Sequence, residues 1–258
     1  MGVTVCLSHT ENQVTEYVGF TNRLPLTLNY ELTPQEQELY RLLEAYLTVP
    51  CKVAYPQMET YDLTLMFFHI LSSSSQAFCK TLDGAISRLQ DGEEKSQLNE
   101  MRDLAESIGI SGKMSELLRT LKKCFAAVKQ MKFPQKALVF VDNLTTLGVL
   151  SEMMVANGYP AIRGTEQEYI ERFCTDKSAV LIATDAVAKG LAMAYFPQVV
   201  NYDLLYNAIE IEQRISRCHR QGQQSDVLVS LIFSLSLTSA YVLHTHIHIS
   251  FYPYPYTL

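Results

Sequence analysis

The chain lacks the paired cysteines that are typical of small zinc-binding or disulfide-stabilised proteins. Its 6 cysteines are scattered, with no CxxC and no CxxH pair, which favours free thiols in a reducing compartment. The first residues, MGVTVCLSHT, contain no basic segment followed by an apolar run, and Cys6 breaks the myristoylation pattern. We therefore expect an intracellular protein, cytoplasmic or nuclear, without a secretory signal.

An excess of positive charge is also missing. The formal net charge is −6 at pH 7 and the isoelectric point is about 5.5, which argues against a protein that coats nucleic acid through bulk charge. Any contact with nucleic acid must then be a local patch. Tryptophan is absent, but 48% of the 258 residues are hydrophobic, which suffices for one large domain or two smaller ones.

The first half of the chain is predicted to be mostly helical. The segment LTPQEQELYRLLEAYL should start a helix with Thr33 as N-cap, Pro34 at the first helical position and Glu36 completing a capping box. Further helical segments are predicted at about 61–71, at about 76–89 and from 114 onward, with Ser72–Ser75 as a polar break. The charged stretch DGEEKSQLNE is interpreted as a solvated helix face. This half carries no recognisable chemical motif.

In the second half, short apolar runs alternate with helical stretches. The runs are ALVFV (137–141), AVLIA (179–183), QVVNY and DVLVSLI (226–232), with YPAI as a further candidate strand. Continuous apolar runs are typical of strands that are buried on both faces. The alternation predicts an α/β fold, in which helices flank a parallel sheet.

The segment EIEQRISRCHRQGQQ concentrates cations near the end of the chain. On a helix, Gln213, Arg217 and Arg220 share one stripe. The opposite side is apolar and consists of Ile211, Ile215 and Cys218. One interpretation is a solvated face whose cations complement the helix dipole before a C-cap at Gly222. The other is a functional row of one amide and two guanidiniums.

Polar residues follow two of the predicted strands. Thr184 and Asp185 come directly after AVLIA, and Gly190 follows in a stretch where glycine permits close backbone approach. Asp203 follows QVVNY and leads into the arginine segment. Ligands of open parallel sheets bind at the carboxyl ends of the strands, so these residues are candidates for a site. The alternative for Thr184 and Asp185 is a capped turn without a ligand.

Four segments, KALVFVDN, VLIATDAVAKGL, VVNYDLLYN and IEQRISRCHRQGQ, occur in this order at regular intervals. The series resembles the second RecA-like lobe of superfamily 2 helicases, and within them the Swi/Snf-type ATP-dependent DNA translocases. The segment RLPLTLNYELTPQEQELYRLLEAYL resembles the region that joins the two lobes of that family. The resemblance implies an interlobe linker and helical region (1–130), a RecA-like lobe (131–235) and a tail (236–258).

The resemblance also implies roles for particular residues. Arg217 and Arg220 would be catalytic, reaching the phosphates of ATP across the interlobe cleft, with the second as arginine finger. The other nucleotide-binding residues would be Gln213, Arg214, Gly190 and Asp185. The residues that couple the nucleotide to the nucleic-acid backbone would be Thr184, Asp185 and Asn143. The implied partners are double-stranded DNA and a first RecA-like lobe, which would hold Mg²⁺; no metal site is expected in this chain.

Two motifs that an ATPase of this kind needs are missing from the sequence. There is no G-x-x-x-x-G-K-[ST] loop and no DE-x-[DH] box, and the one Gly-Lys pair, at Gly112 and Lys113, is followed by Met114. We therefore expect activity only with a first lobe from another chain or a longer gene product. The alternative hypothesis is a non-catalytic interaction module or a truncated gene product without ATPase activity.

The sequence from Leu231 onward, LIFSLSLTSAYVLHTHIHISFYPYPYTL, departs from the family pattern and has no charged side chain apart from histidine. Three histidines on one strand face could bind zinc, namely His244, His246 and His248. The apolar run 227–243 could span a membrane. The third interpretation, which we adopt, is a low-complexity tail without an assigned function and without membrane contact.

Overall fold

A computed structural model describes residues 22–234 apart from 133, 164–172, 174, 176–177, 189–197, 205–207 and 220–225. Six strands form one sheet in the order β1-β6-β5-β2-β4-β3, and every pairing is parallel. The strands are β1 Arg23–Asn29, β2 Gln135–Phe140, β3 Ala161–Arg163, β4 Ser178–Ala183, β5 Gln198–Asn201 and β6 Val227–Phe233. The predicted strands are thus confirmed, and the run proposed as a membrane span begins with a sheet strand.

Helices lie on both faces of the sheet, and five of those in the described part of the chain come between β1 and β2. They are α1 Pro34–Thr48, α2 Thr60–Ser73, α3 Ser75–Ile86, α4 Glu93–Ser107, α5 Gly112–Gln130, α6 Leu144–Ala156, α7 Asp185–Ala188 and α8 Ala208–Cys218. The predicted α/β fold is therefore confirmed. Within the described ranges, none of the helices combines the length and the apolar character needed to cross a membrane. The predicted C-cap at Gly222 and the three histidines of the tail lie outside the described residues.

The sheet separates two apolar cores because successive side chains of a strand point to opposite faces. Val139 and Val141 face the side that α5 and α6 cover. Leu138 and Phe140 face the other side, where Ile215 of α8 packs. Helices α5 and α8 therefore lie on opposite faces of the sheet, with strands buried between them.

Strand β1 is not among the strands that were predicted from the sequence. It pairs with β6 at the edge of the sheet, where Pro25 can be accommodated because an edge strand need not donate every ladder hydrogen bond. Only Leu28 is buried along the strand, and Leu24 is 48% exposed. An edge position therefore explains why the apolar alternation is weak.

The helices α1 to α4 share a core of their own, which contains Phe67 and Phe78 with ring centroids 5.6 Å apart. The predicted start of α1 is confirmed. The backbone N–H of Glu36 donates to Thr33 Oγ1 at 3.2 Å, and the backbone N–H of Thr33 donates to Glu36 Oε2 at 2.8 Å. The same Glu36 oxygen accepts the N–H of Gly112 at 3.0 Å. One carboxylate therefore joins the first turns of α1 and α5.

The predicted polar break at Ser72–Ser75 is much shorter in the structure. Helix α2 extends through Ser73 and α3 begins at Ser75, so only Ser74 interrupts them. Ser74 is the N-cap of α3 and accepts the N–H of Ala77 at 3.1 Å. Ser73, Ser74 and Ser75 are all buried. Their hydroxyl groups have hydrogen-bond partners inside the protein, which the sequence pattern does not reveal.

Opposite effects on stability are predicted for alanine substitutions at two glycines, Gly112 at the start of α5 and Gly84 within α3. A Cβ at Gly112 would lie 2.0 Å from the carbonyl oxygen of Glu31, so Gly112→Ala should destabilise the fold by about 2–3 kcal/mol. Gly84 is exposed within α3, and its Cβ would meet nothing within 4 Å. Gly84→Ala should therefore stabilise the fold by about 0.5–1 kcal/mol. Urea unfolding followed by circular dichroism measures both, and a Gly112→Ala variant as stable as the parent would contradict the close contact.

Candidate functional site

Three aspartates lie at the carboxyl ends of three neighbouring strands. Asp142 follows β2, Asp203 follows β5 and Asp185 follows β4, each after one intervening residue. Because β4, β2 and β5 are adjacent and parallel, these ends form a continuous edge of the sheet. This edge is where open parallel sheets bind ligands.

The guanidinium of Arg214, on α8, lies between the three strand ends. Its Nε donates to Asp185 Oδ2 at 2.9 Å and its Nη2 to the same oxygen at 2.5 Å. Its Nη1 donates to the carbonyl oxygen of Asp203 at 2.8 Å, and Nη2 also donates to the carboxylate of Asp142. The side chain is 0% exposed and lies over the ring of Phe140, 5.1 Å from its centroid. All three nitrogens are thus bound to protein acceptors, and α8 is anchored to the strand ends.

The charges of this cluster stabilise one another. Burial lowers the pKa of Arg214, but hydrogen bonds and charge interactions with Asp185 and Asp142 outweigh burial and raise it. Burial raises the pKa of Asp142, but hydrogen bonds from His69 and Arg214 and their charges outweigh burial and lower it. The Nε2 of His69 lies 3.3 Å from Asp142 Oδ2. Asp142 and Arg214 are therefore both charged at neutral pH.

The carboxylate of Asp203 connects the strand ends to the helical region. Its Oδ1 lies 3.1 Å from Lys113 Nζ, and its Oδ2 accepts the hydroxyl of Ser73 and the N–H of Asp142, each at 2.9 Å. Lys113 Nζ also donates to the carbonyl oxygen of Ser72 at 2.8 Å. Burial lowers the pKa of Lys113 although Asp203 opposes that shift. The one Gly-Lys pair of the sequence thus contributes its lysine to a buried ion pair.

The structure describes several of the predicted site residues. Thr184 and Asp185 lie half-buried after β4, and Asp185 binds Arg214. Asn143 is the N-cap of α6, where its Oδ1 accepts the N–H of Thr145 at 2.8 Å. Gln213 is exposed on α8. Arg217 follows one turn later in the same helix, while its side chain, Gly190 and Arg220 lie outside the described residues.

Sequence reasoning missed part of this cluster. Asp142 did have a signal, because an aspartate comes directly after the apolar run in KALVFVDN as it does in QVVNYD. The sequence pattern gave no indication of His69, Ser73 or Lys113, because these residues come from helices that are distant along the chain from the strand ends they contact. Only the packing of the helical region brings them to the sheet edge.

Strand β1 holds α8 from a second side. Arg23 Nη1 lies 2.7 Å from Glu212 Oε2, and Arg23 Nε donates to His219 Nδ1 at 3.1 Å. The side chain of Arg23 is 14% exposed and that of Glu212 is 47% exposed. Glu212 and His219 are separated by about two helical turns. One arginine side chain therefore contacts α8 near its middle and the residue that follows its C-terminal end.

Known proteins resemble this chain in sequence. The family described as "Helicase conserved C-terminal domain" matches residues 113–222. The ATP-dependent helicase YqhH of Bacillus subtilis is 32% identical over 103 residues, which are 37% of this chain and 18% of that protein. The ATP-dependent RNA helicase DBP2 of Chaetomium thermophilum is 26% identical over 132 residues, 48% of this chain and 23% of that protein. The chain thus spans about a fifth of the length of these curated relatives.

Solved structures share the fold. The C-terminal part of the Fun30 ATPase domain has a TM-score of 0.61 at 16% identity, covering 88% of this chain and 90% of that one. The Hef helicase domain of Pyrococcus furiosus has a TM-score of 0.58 at 18% identity, covering 90% and 59%. The SWI2/SNF2 ATPase core of Sulfolobus solfataricus has a TM-score of 0.56 at 14% identity, covering 88% and 44%. The RecA-like fold that the resemblance implied is confirmed.

The lowered pKa of Asp142 predicts a pH-dependent effect of Asp142→Asn. A carboxylate whose pKa is depressed in the folded state stabilises that state above its unfolded pKa of about 4, and its contribution disappears as the pH falls through the folded pKa. The variant should be about 1–3 kcal/mol less stable than the parent at neutral pH. The difference should shrink below about pH 4. Urea unfolding at several pH values measures it, and a difference independent of pH would contradict the assignment.

The ion pair between Arg23 and Glu212 predicts that exchanging the two charges restores the hydrogen-exchange protection of α8 that a charge reversal at Arg23 alone removes. Arg23→Glu places two carboxylates together and should increase hydrogen exchange of the α8 amides, because β1 then repels the helix. Combining it with Glu212→Arg should restore much of the protection. The matched control is the exposed pair Glu38 and Arg41 on α1, whose exchange should leave α8 unchanged. Equal exchange in the single and double variants would show that this ion pair does not hold the helix.

Proposed function

We propose that the chain is the second RecA-like lobe of an ATP-dependent DNA translocase of Swi/Snf type, and the match of residues 113–222 to the helicase C-terminal domain family supports this. It would act together with a first lobe that carries the phosphate-binding loop. The observation that supports this proposal most directly is the anchoring of α8 by Arg214. That anchor fixes the helix at the sheet edge while its Gln213 remains exposed.

In this proposal Arg217 and Arg220 are the catalytic residues. Guanidiniums stabilise the negative charge that develops on a transferring phosphoryl group, and their effect depends on being held in place before the reaction. Gln213, exposed on the same helix, would bind the nucleotide beside them. Arg214 would be a positioning residue, because its nitrogens are bound to Asp185, Asp142 and Asp203.

The strand ends would couple the nucleotide to the nucleic acid. Thr184 would contact the phosphate backbone, and Asp185, its neighbour in sequence, binds the arginine that holds α8. A displacement of the loop after β4 would therefore be transmitted to the catalytic helix through one bidentate interaction. Gly190 would allow the same loop to approach the backbone closely, and Asn143 would act at the end of β2.

Double-stranded DNA is the proposed substrate. This choice is supported by the resemblance of the four motif segments, and of the segment RLPLTLNYELTPQEQELYRLLEAYL, to Swi/Snf-type translocases. RNA is the second candidate, because a relative named as an RNA helicase matches 48% of the chain. Stimulation of ATP hydrolysis by duplex DNA compared with RNA distinguishes the two.

The arginine assignment predicts the outcome of reconstitution with a first lobe. The parent chain plus a first RecA-like lobe that contains G-x-x-x-x-G-K-[ST] should hydrolyse ATP in a DNA-stimulated manner. Arg220→Ala should lower kcat by about a thousandfold or more, as expected for loss of an arginine finger. Arg41→Ala, an exposed arginine on α1, is the matched control and should leave kcat unchanged. Steady-state ATPase assays measure all three.

Two results would contradict the proposal in different ways. Equal activity of the parent and Arg220→Ala in the reconstituted pair would remove the finger assignment and leave the translocase lobe intact. The non-catalytic alternative predicts that ATP never changes the affinity for nucleic acid, whichever first lobe is supplied. A titration of labelled duplex with and without ATP therefore decides between a working lobe and an interaction module.

A further inference from the structure

Helix α5 carries a concentration of positive charge in an acidic protein. Between Gly112 and Lys136 there are seven basic residues and one acidic residue, whereas Glu31–Ser107 contains six basic and thirteen acidic residues. The chain as a whole has a net charge of −6. The charge is therefore segregated, and α5 is the local basic patch that the composition required for any contact with nucleic acid.

The cations of α5 lie on its solvent side. We define the basic face as Arg119, Lys122, Lys123 and Lys129, with Lys132 just beyond the helix end; all five are exposed. The three lysines within the helix and Arg119 fall within about 120° of its circumference, opposite the buried apolar residues. From Arg119 to Lys132 the face is about 20 Å long at 1.5 Å per residue.

Among the described residues, the lysines of the basic face have no carboxylate partner. Within the described part of the chain, none of them forms an ion pair, and the one acid of the helix, Glu116, is held by Arg119 at 2.6 Å. On α4 the cations are paired instead: Lys95 with Asp91, and Arg102 with Glu106. The charge of these lysines is therefore available to a partner, whereas Lys113 and Arg119 of α5 and much of the charge on α4 are compensated internally.

The arrangement is unfavourable for the isolated helix. Arg119 lies three residues before Lys122 and four before Lys123, spacings at which like charges face each other and destabilise a helix. If these side chains only kept the helix solvated, alternating positive and negative residues at the same positions would serve as well and would also stabilise the helix. An anionic partner that neutralises the row would turn this repulsion into attraction.

We propose that the basic face of α5 is a sequence-independent binding surface for the phosphate backbone of nucleic acid. It lies on the face of the sheet opposite α8, so it is a second contact, separate from the strand-end cluster. Lysines supply mobile point charges that suit phosphate oxygens. Contacts to phosphate fix position without reading bases, and the proposal does not depend on ATP hydrolysis.

A salt titration with charge-matched variants tests the proposal. Anisotropy of a labelled duplex of mixed sequence gives the affinity of the full chain at salt concentrations from about 50 to 200 mM, without ATP or a first lobe. The variant Lys122→Gln/Lys123→Gln/Lys129→Gln should bind at least about tenfold more weakly and reduce the salt slope by about 2.7. Replacing the same three lysines by arginine should retain the binding.

The control variant removes three positive charges elsewhere. Arg41→Gln/Lys80→Gln/Arg88→Gln acts on exposed cations of the helical region and should change the affinity far less. Circular dichroism verifies that each variant is folded. An independent measurement needs no variant: duplex bound to the parent chain should protect the amines of Lys122, Lys123 and Lys129 from acetylation and leave Lys80 reactive.

Three results would overturn the proposal. Equal losses of affinity in the two glutamine triple variants would show that the overall charge of the protein determines binding. No loss of affinity in the α5 glutamine variant would exclude the proposed surface. Dissociation of a dimer by the α5 substitutions in the absence of nucleic acid, seen by sedimentation, would assign the surface to the acidic region of a second copy. Failure of ATP hydrolysis in the reconstituted pair would leave the proposal unaffected.

Discussion

The buried guanidinium of Arg214 is the interaction on which the geometry of this domain depends. Removing a charged group from water is costly unless acceptors inside the protein replace the lost hydration. Here the acceptors come from three neighbouring strands, through the carboxylates of Asp142 and Asp185 and the carbonyl of Asp203. The arginine is therefore stable only when β2, β4 and β5 end at the same level and α8 lies against them. A single side chain thereby fixes the position of α8 relative to the sheet.

The same requirement extends to the helical region. Asp203 shares its carboxylate with Ser73 and Lys113, while Asp142 lies beside His69. Each of these groups is hydrogen-bonded to another member of the cluster, and a buried polar network of this kind specifies one arrangement more strongly than it adds stability. The helices α1 to α4 have a separate apolar core, but their polar contacts join them to the sheet at the strand ends. A displacement of these strand ends would therefore reach the helical region.

The sequence predicted what depends on local pattern. Continuous apolar runs identified β2, β4, β5 and β6, and the Thr33–Glu36 capping box identified the start of α1. It could not predict β1, whose edge position imposes little alternation, or the burial of Ser73–Ser75, which depends on partners distant along the chain. Arg214 lies about 100° from Gln213 and beside the apolar stripe of α8. Periodicity places it at a boundary, and only the carboxylates from other strands decide that it is buried.

The two buried cations of the cluster, Arg214 and Lys113, differ in how their positive charge is stabilised. The planar guanidinium of Arg214 reaches several acceptors at once, and its acidic partners raise its pKa. Lys113 has a single ammonium, and burial lowers its pKa despite the nearby Asp203. The carboxylates around Arg214 therefore reinforce the charge that anchors α8, whereas the charge that joins α5 to the strand ends depends on the pairing of Lys113 with Asp203. Arg214 thus holds α8 at the strand ends, whereas the link from the sheet to the helical region uses a lysine whose charge needs a buried carboxylate partner.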